Sequence, residues 1–267
     1  QGRALFISSS NGITYFTRLR LRGEDSADTE WRSWTFLPDT AYNLTPEEVE
    51  EARNTMPEAV FKREFLCDES TEAGQVFRHI EGCIQGDLEG AILGHRYVFG
   101  IDLGKHKDFT VLIGADTATR RVVSFDRFNQ IDWVIQKERI RSALSRYNGA
   151  RAWLDSTGEG EPVYEDLRKS GLLVEGYHFT GPSKQVLIDG LIVALEQERL
   201  RFPRIPQLLN ELRAYEYHPT KAGNLRTGAP EGEGYYDDCV VALALLNYGL
   251  GQLSGSQVVP SKRTNIF

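Results

Sequence analysis

The chain has 267 residues, enough for one large domain or two smaller ones, and 40% hydrophobic with 26% charged residues is ordinary globular composition. No apolar run approaches the roughly 20 residues needed to span a bilayer, and the start lacks a signal-peptide pattern. The net charge of −7 argues weakly against a nucleic-acid partner. That acidity is concentrated in residues 1–95, where 9 Lys/Arg face 17 Asp/Glu, so the remainder is free to present a basic groove. Cys67, Cys83 and Cys239 are odd in number and lack C-x-x-C spacing, which reads as reduced thiols, not a zinc site or disulfide frame. The chain opens on Gln1, not Met, and is expected to be a piece of something longer.

In chain order, Arg3–Ser8 reads as a short strand running into a Ser-Ser-Asn-Gly turn at 9–12. Ile13–Arg22 has helical spacing and stops at Gly23, and Thr35–Pro38 reads as another short strand. Thr45-Pro-Glu-Glu is a helix start, with Thr45 as N-cap and Pro46 at the first position. An amphipathic helix over Pro57–Leu66 follows. We expect 1–80 to be the back end of a larger α/β domain, 81–95 a glycine-rich linker, 96–250 a second domain and 251–267 a flexible tail.

The second domain begins with three short strands, Tyr97–Ile101, Phe109–Ala115 and Arg121–Phe125, spaced as an antiparallel meander. Helices are expected over Trp133–Tyr147, Val163–Ser170, Ser183–Arg199 and Pro206–Tyr215, and strands over Ala150–Leu154 and Val174–His178. Leu200–Phe202 reads as extended and 218–236 as a loop. The last helix opens at Asp237-Asp238, runs to Gly249 and is apolar nearly all round, so it should be buried.

Acids recur at equivalent places. Asp102 ends the first strand of the meander, Asp155 ends the strand after the first helix, and Asp237-Asp238 opens the buried helix. Each alone is an ordinary turn former or helix-dipole partner. Jointly they match the strand ends and helix starts that converge on one crevice in open α/β sheets. Three carboxylates meeting there would repel one another, and hard cations such as Mg2+ or Mn2+ relieve that repulsion. The chemistry such a set suits is two-metal phosphodiester hydrolysis.

At these residues the chain resembles the large terminase subunit of tailed bacteriophages. Gly100-Ile-Asp-Leu-Gly104 with Asp108, Leu154-Asp-Ser-Thr-Gly-Glu-Gly160 and Asp237-Asp-Cys-Val-Val-Ala-Leu-Ala244 are similar to the three acidic motifs of that family's nuclease domain. Phe179–Lys184 and Leu200–Pro203 fit the same run of segments, while Ala4–Gly12, Met56–Phe61 and Gly74–Arg78 resemble the end of its packaging ATPase and the stretch that follows. The resemblance implies a ribonuclease H-like mixed sheet flanked by helices, preceded by a partial α/β ATPase segment and linker helices. It implies an endonuclease with two Mg2+ or Mn2+ ions, cutting concatemeric viral duplex DNA during packaging with little sequence preference. The implied ligands are Asp102, Asp155 and Asp238, with Asp237 and Asp108 beside them. Lys105, His106, Lys107, Lys184, Lys221 and Arg226 are the candidate phosphate contacts. The implied partners are duplex DNA, a portal ring and a small terminase subunit, in the host cytoplasm on a procapsid and without a membrane. No G-x-x-x-x-G-K-[S/T] phosphate loop occurs, so the chain is not expected to hydrolyse ATP by itself. Two other readings share features: a resolvase-type nuclease on branched DNA, and an actin- or sugar-kinase-like ATP-binding fold whose first phosphate loop also reads Ile101-Asp-Leu-Gly104.

Overall fold

The structure, a computed structural model, describes residues 4–8, 15–25, 27–40, 44–68, 75–104, 108–158, 160–219, 225–232 and 234–254. The chain divides into two compact units, Gln1–Ala73 and Gly74–Phe267.

The first unit carries three helices, α1 (Tyr15–Glu24), α2 (Pro46–Thr55) and α3 (Glu58–Leu66). α2 starts where its sequence directs: Thr45 Oγ1 accepts from Glu48 N at 3.2 Å and Glu48 Oε2 accepts from Thr45 N at 2.8 Å, a complete capping box. Phe61 of α3 is buried, stacked on Phe65 at 5.0 Å and covered by the Arg53 guanidinium at 4.4 Å. The two expected strands do not form here. Neither 4–8 nor 35–37 joins a strand among the described residues, and Leu5, Phe6 and Ile7 stand exposed.

The second unit is built on a five-stranded sheet in the order β3-β2-β1-β4-β5. The strands are β1 (Tyr97–Asp102), β2 (Thr110–Asp116), β3 (Val122–Phe128), β4 (Arg151–Asp155) and β5 (Val174–Tyr177). β1, β2 and β3 form the antiparallel meander, and β4 and β5 continue the sheet parallel to β1. The helices are α4 (Trp133–Arg146), α5 (Gly160–Lys169), α6 (Gly181–Glu196), α7 (Pro206–Ala214) and α8 (Asp238–Ser254). Both sheet faces are covered, which is why the strands read as continuous apolar runs. Tyr97, Phe99, Ile101 and Leu154 pack with Ile140 and Leu144 of α4 and Val163 and Leu167 of α5. Val98 and Trp153 pack on the opposite side with α6, α7 and α8.

Two departures from expectation matter. Residues 81–95, expected as a linker, and 75–80, expected in the first domain, are both part of this second unit. Val76, Phe77, Ile80 and Cys83 are buried in its larger core, and the amides of Gln85 and Glu89 donate to Phe202 O at 2.8 Å and Val123 O at 2.9 Å. Gly86 and Gly94, with φ of +78° and +83°, make turns in this wrap. The loop expected over 218–236 contains an antiparallel hairpin, β6 (Glu216–Pro219) with β7 (Leu225–Gly228). Of the expected tail 251–267, residues 251–254 instead extend α8, and the rest lies outside the described residues.

Candidate metal-binding cleft

β1 and β4 are parallel neighbours with Val98 opposite Arg151 and Ile101 opposite Leu154. The same register, continued one step, sets Asp102 beside Asp155 at the carboxyl ends of the two strands. Side chains alternate along a strand. Asp102 therefore shares a face with Val98 and Gly100, and Asp155 with Trp153, so both acids lie on the α8 side.

α8 reaches them because Gly100 has no side chain. A Cβ there would stand 2.0 Å from Ala242 O and 2.3 Å from Leu246 N, so the helix backbone lies directly on β1. Gly249 plays the same part against the Trp153 ring, 2.4 Å from where its Cβ would be. This approach carries the start of α8 to the acidic end of the sheet. Asp102, Asp108, Asp155, Asp237 and Asp238 line one cleft of about 270 Å3, together with Leu103, Phe179, Lys184, Tyr235, Tyr236 and Val241.

Each acid is held differently. Asp155 Oδ1 accepts from Thr157 N at 2.8 Å. Asp238 is 6% exposed and its Oδ2 accepts from Phe109 N at 3.1 Å. Asp237 Oδ2 meets Lys184 Nζ at 3.1 Å. Burial, then the carboxylates of Asp238, Asp237 and Asp155, push the Asp102 carboxyl well above the ordinary range, with Lys184 opposing them. Burial likewise lifts Asp238 to about 7, against the pull of the Phe109 amide and with Glu211, Asp237 and Asp108 adding to the rise. Burial disfavours the Lys184 ammonium, yet Asp237, Tyr215 and Asp102 hold its pKa above the ordinary lysine value.

Among the described residues no three His, Cys, Asp or Glu side chains are placed so that they could together hold a metal ion without moving. What the cleft offers is an all-oxygen donor set with an excess of negative charge and one lysine counter-charge. That donor chemistry fits a hard divalent cation, which would also relieve the crowding at Asp102.

The structure brings together the five predicted acids. Lys184, predicted as a phosphate contact, lines the cleft and meets Asp237. Arg226 lies on β7, exposed, with its guanidinium 3.5 Å from Glu231. Lys105, His106, Lys107 and Lys221 lie outside the described residues. Sequence reasoning missed two supports of the cleft. Gln136 is fully buried: its Oε1 accepts from Thr110 Oγ1 at 2.7 Å, and its Nε2 donates to Gly104 O at 3.1 Å and Ile131 O at 2.8 Å. This pins Gly104, two residues after Asp102. Glu211 of α7 accepts from Cys239 N at 2.7 Å, next to Asp238. Each is a polar residue on an otherwise apolar helix stripe, Gln136 with Ile140 and Leu144, Glu211 with Leu208, Leu212 and Tyr215, and that misfit was a readable signal.

A family model described as the terminase RNaseH-like domain matches residues 99–247. The large terminase subunit of Thermus virus P23-45 is 28% identical over 274 residues, taking in 91% of this chain and 55% of that protein. The chain thus spans about half the length of the curated relatives it matches. The nuclease of the large terminase from thermophilic phage G20c, solved with bound magnesium, is 27% identical with a TM-score of 0.61, over 65% of this chain and 96% of that one. Its cobalt-bound form matches equally, with 27% identity, a TM-score of 0.61 and the same 65% and 96% coverage. A large terminase from another thermophilic bacteriophage shares the fold at 12% identity, with a TM-score of 0.62 over 85% of this chain and 57% of that one.

Proposed function

The chain belongs to the terminase RNase H-like domain family and has its ribonuclease H-like mixed sheet; from that membership we propose that the acidic cleft is the active site of a metal-dependent endonuclease that cuts duplex viral DNA during genome packaging. The observation that carries the reading is the convergence of Asp102, Asp155, Asp237 and Asp238 on one cleft beside the start of α8. The G20c nuclease was solved with bound magnesium and with bound cobalt, which supports a divalent cation here.

Asp102, Asp155 and Asp238 would hold the cations, with Asp237 and Asp108 as further oxygen donors. Bound Mg2+ or Mn2+ supplies an activated water and charge stabilisation for in-line displacement at phosphorus. The protein's own part is to orient the carboxylates, whose ionised forms a bound cation would favour against burial and mutual repulsion. Thr157 N fixes one oxygen of Asp155, Phe109 N fixes one of Asp238, and the Gln136–Thr110 network fixes the turn after Asp102. Lys184 balances the acids and is placed to release Asp237 when a cation takes over its charge. Tyr235, Tyr236 and Phe179 wall the cleft. Contacts to DNA are to backbone phosphates, with Arg226, Lys105, His106 and Lys107 as donors, so cutting has little base preference.

The first unit is the closing part of the packaging ATPase, and the chain without a phosphate loop does not turn over ATP. In the complete motor the partners are the portal ring and the small terminase subunit. Family membership leaves the kinase-like alternative without support. The test is plasmid and linear duplex cleavage with Mg2+ or Mn2+. We expect activity that EDTA abolishes and that falls by at least about 100-fold in Asp155→Ala, more than the usual effect of losing an outer-shell partner. Cleavage that survives both would reduce the acids to surface features of a docking module. Preference for four-way junctions over linear duplex would instead favour the resolvase-type reading.

A further inference from the structure

Asp237 is the N-cap of α8: its carbonyl accepts from Val241 N at 2.9 Å, the first bond of the helix. An aspartate in that position ordinarily folds its carboxylate back on to the amide of the second or third helical residue. Here the carboxylate reaches Lys184 at 3.1 Å instead. The amide of Cys239, the second residue of the helix, is taken by Glu211 Oε2 from α7 at 2.7 Å. The cap is supplied by another helix.

Glu211 is itself 7% exposed, and its Oε1 accepts from Arg127 Nη2 of β3 at 3.3 Å. The Arg127 guanidinium lies 3.4 Å from the centre of the Phe109 ring and 5.5 Å from that of Tyr236, and these rings meet edge-on at 5.1 Å. Both rings belong to residues bound to the acidic pair. Phe109 N donates to Asp238 Oδ2, and Tyr236 immediately precedes Asp237. A buried carboxylate costs free energy unless its charge and oxygens are met; here the cap amide and Arg127 offset part of that cost, while burial still holds the Glu211 carboxyl above its ordinary value.

We infer that Glu211 is a positioning residue: by capping α8 in place of Asp237 it leaves the Asp237 carboxylate turned into the cleft, and through Arg127 it steadies the aromatic residues on either side of the acidic pair. The inference rests on reading the cleft as a metal site. Its physical content is a competition. A buried helix start needs an acceptor for its second amide. With Glu211 gone, the nearest group able to serve is the N-cap's own carboxylate. Asp237 then restores the helix and leaves the cleft, so metal binding suffers more than folding.

The experiment uses the full chain, without DNA, and compares Glu211→Ala with Glu211→Gln. Mn2+ binding is followed by calorimetry, melting is recorded in EDTA, and the metal-free Glu211→Ala variant is crystallised. We expect Glu211→Ala to bind Mn2+ about 10- to 100-fold more weakly. Glu211→Gln keeps an oxygen for the Cys239 amide and restores most of that affinity. In the metal-free crystal the Asp237 carboxylate should bond Cys239 N and release Lys184. Because Glu211→Ala strands Arg127, the same measurements are made on Glu211→Met with Arg127→Met, which removes both buried charges and leaves the cap empty; the same loss of Mn2+ affinity is expected. Unchanged Mn2+ affinity in the Ala and Met variants, with only a lower melting temperature, would overturn the inference while leaving the metal reading intact. If the unaltered chain binds no Mn2+, the metal reading falls, and the position of Asp237 in the metal-free variant alone decides the capping claim.

Discussion

A carboxylate that closes a buried strand must find compensation, and at Asp102 the nearest neighbours are other carboxylates. Removing it should therefore separate function from folding. We expect Asp102→Ala to lose metal-dependent cleavage and to melt in EDTA no lower than the unaltered chain, because repulsion in the cleft is relieved. An unfolded Asp102→Ala variant would show that this carboxyl is part of the core's bonding. Gln136 should behave in the opposite way. Gln136→Leu leaves the Ile131 carbonyl without its side-chain donor, the Thr110 hydroxyl with Gly104 alone and the Gly104 carbonyl with Thr110 alone, and should cost about 1–3 kcal/mol in urea denaturation. These two residues also mark what was legible at this scale. Asp102, Asp155 and Asp238 stand out because each abruptly ends or begins an apolar run. Gln136 and Glu211 do not, because a single polar residue on an apolar helix stripe is read through unless one asks what bonds it.

At the scale of elements, the close fit of β1 and α8 is what sets the acids together. The atoms that would meet a Cβ at Gly100 are backbone, so no side chain can turn aside. Gly100→Ala should destabilise by about 3 kcal/mol or more, at the upper end of overpacking penalties, and circular dichroism melting would register it. The β2–β3 hairpin has a different lock. Asp116 is 4% exposed, and its Oδ1 accepts from Ala118 N at 2.8 Å and Thr119 N at 3.0 Å, while Oδ2 lies 2.5 Å from His95 Nδ1. Burial opposes the charge, but these bonds from His95, Thr119 and Ala118 outweigh it and hold the Asp116 carboxyl below the ordinary value. A depressed native pKa means stability that is present above the unfolded pKa, about 3.9, and is lost as pH falls through the lower native value. The stability difference between the unaltered chain and Asp116→Asn should thus be full near pH 6 and shrink below about pH 4. A difference that does not change with pH would mean that the Asp116 charge contributes nothing.

The strands and helices of the sheet were legible because their apolar periods are long and uninterrupted. The β6–β7 hairpin was not. Its strands are four residues each, Pro219 ends the first, and neither carries an apolar alternation. The wrap at 75–96 was misread for a related reason: glycines that make turns look, in sequence, like glycines that make a linker.

For the whole molecule, the overall negative charge sits uneasily with a DNA partner, and its uneven distribution is what reconciles the two. Five acids of the second unit, Asp102, Asp108, Asp155, Asp237 and Asp238, gather in the cleft, where a cation is proposed to neutralise them. Arg226 stands exposed on β7. Duplex binding measured in EDTA with Asp102→Ala should therefore weaken with salt, and adding Arg226→Ala should weaken it for every sequence and lower the salt slope by about one. A slope unchanged by Arg226→Ala would remove that side chain from the interface.

The measurement that bears most directly on the central claim is anomalous diffraction from crystals of the chain soaked in Mn2+. The account predicts manganese between Asp102, Asp155 and Asp238, with their carboxylate oxygens about 2.0–2.6 Å away, the range for hard divalent cations, and Lys184 no longer on Asp237. Manganese bound elsewhere, or none in a cleft still bridged by Lys184 and Asp237, would contradict it.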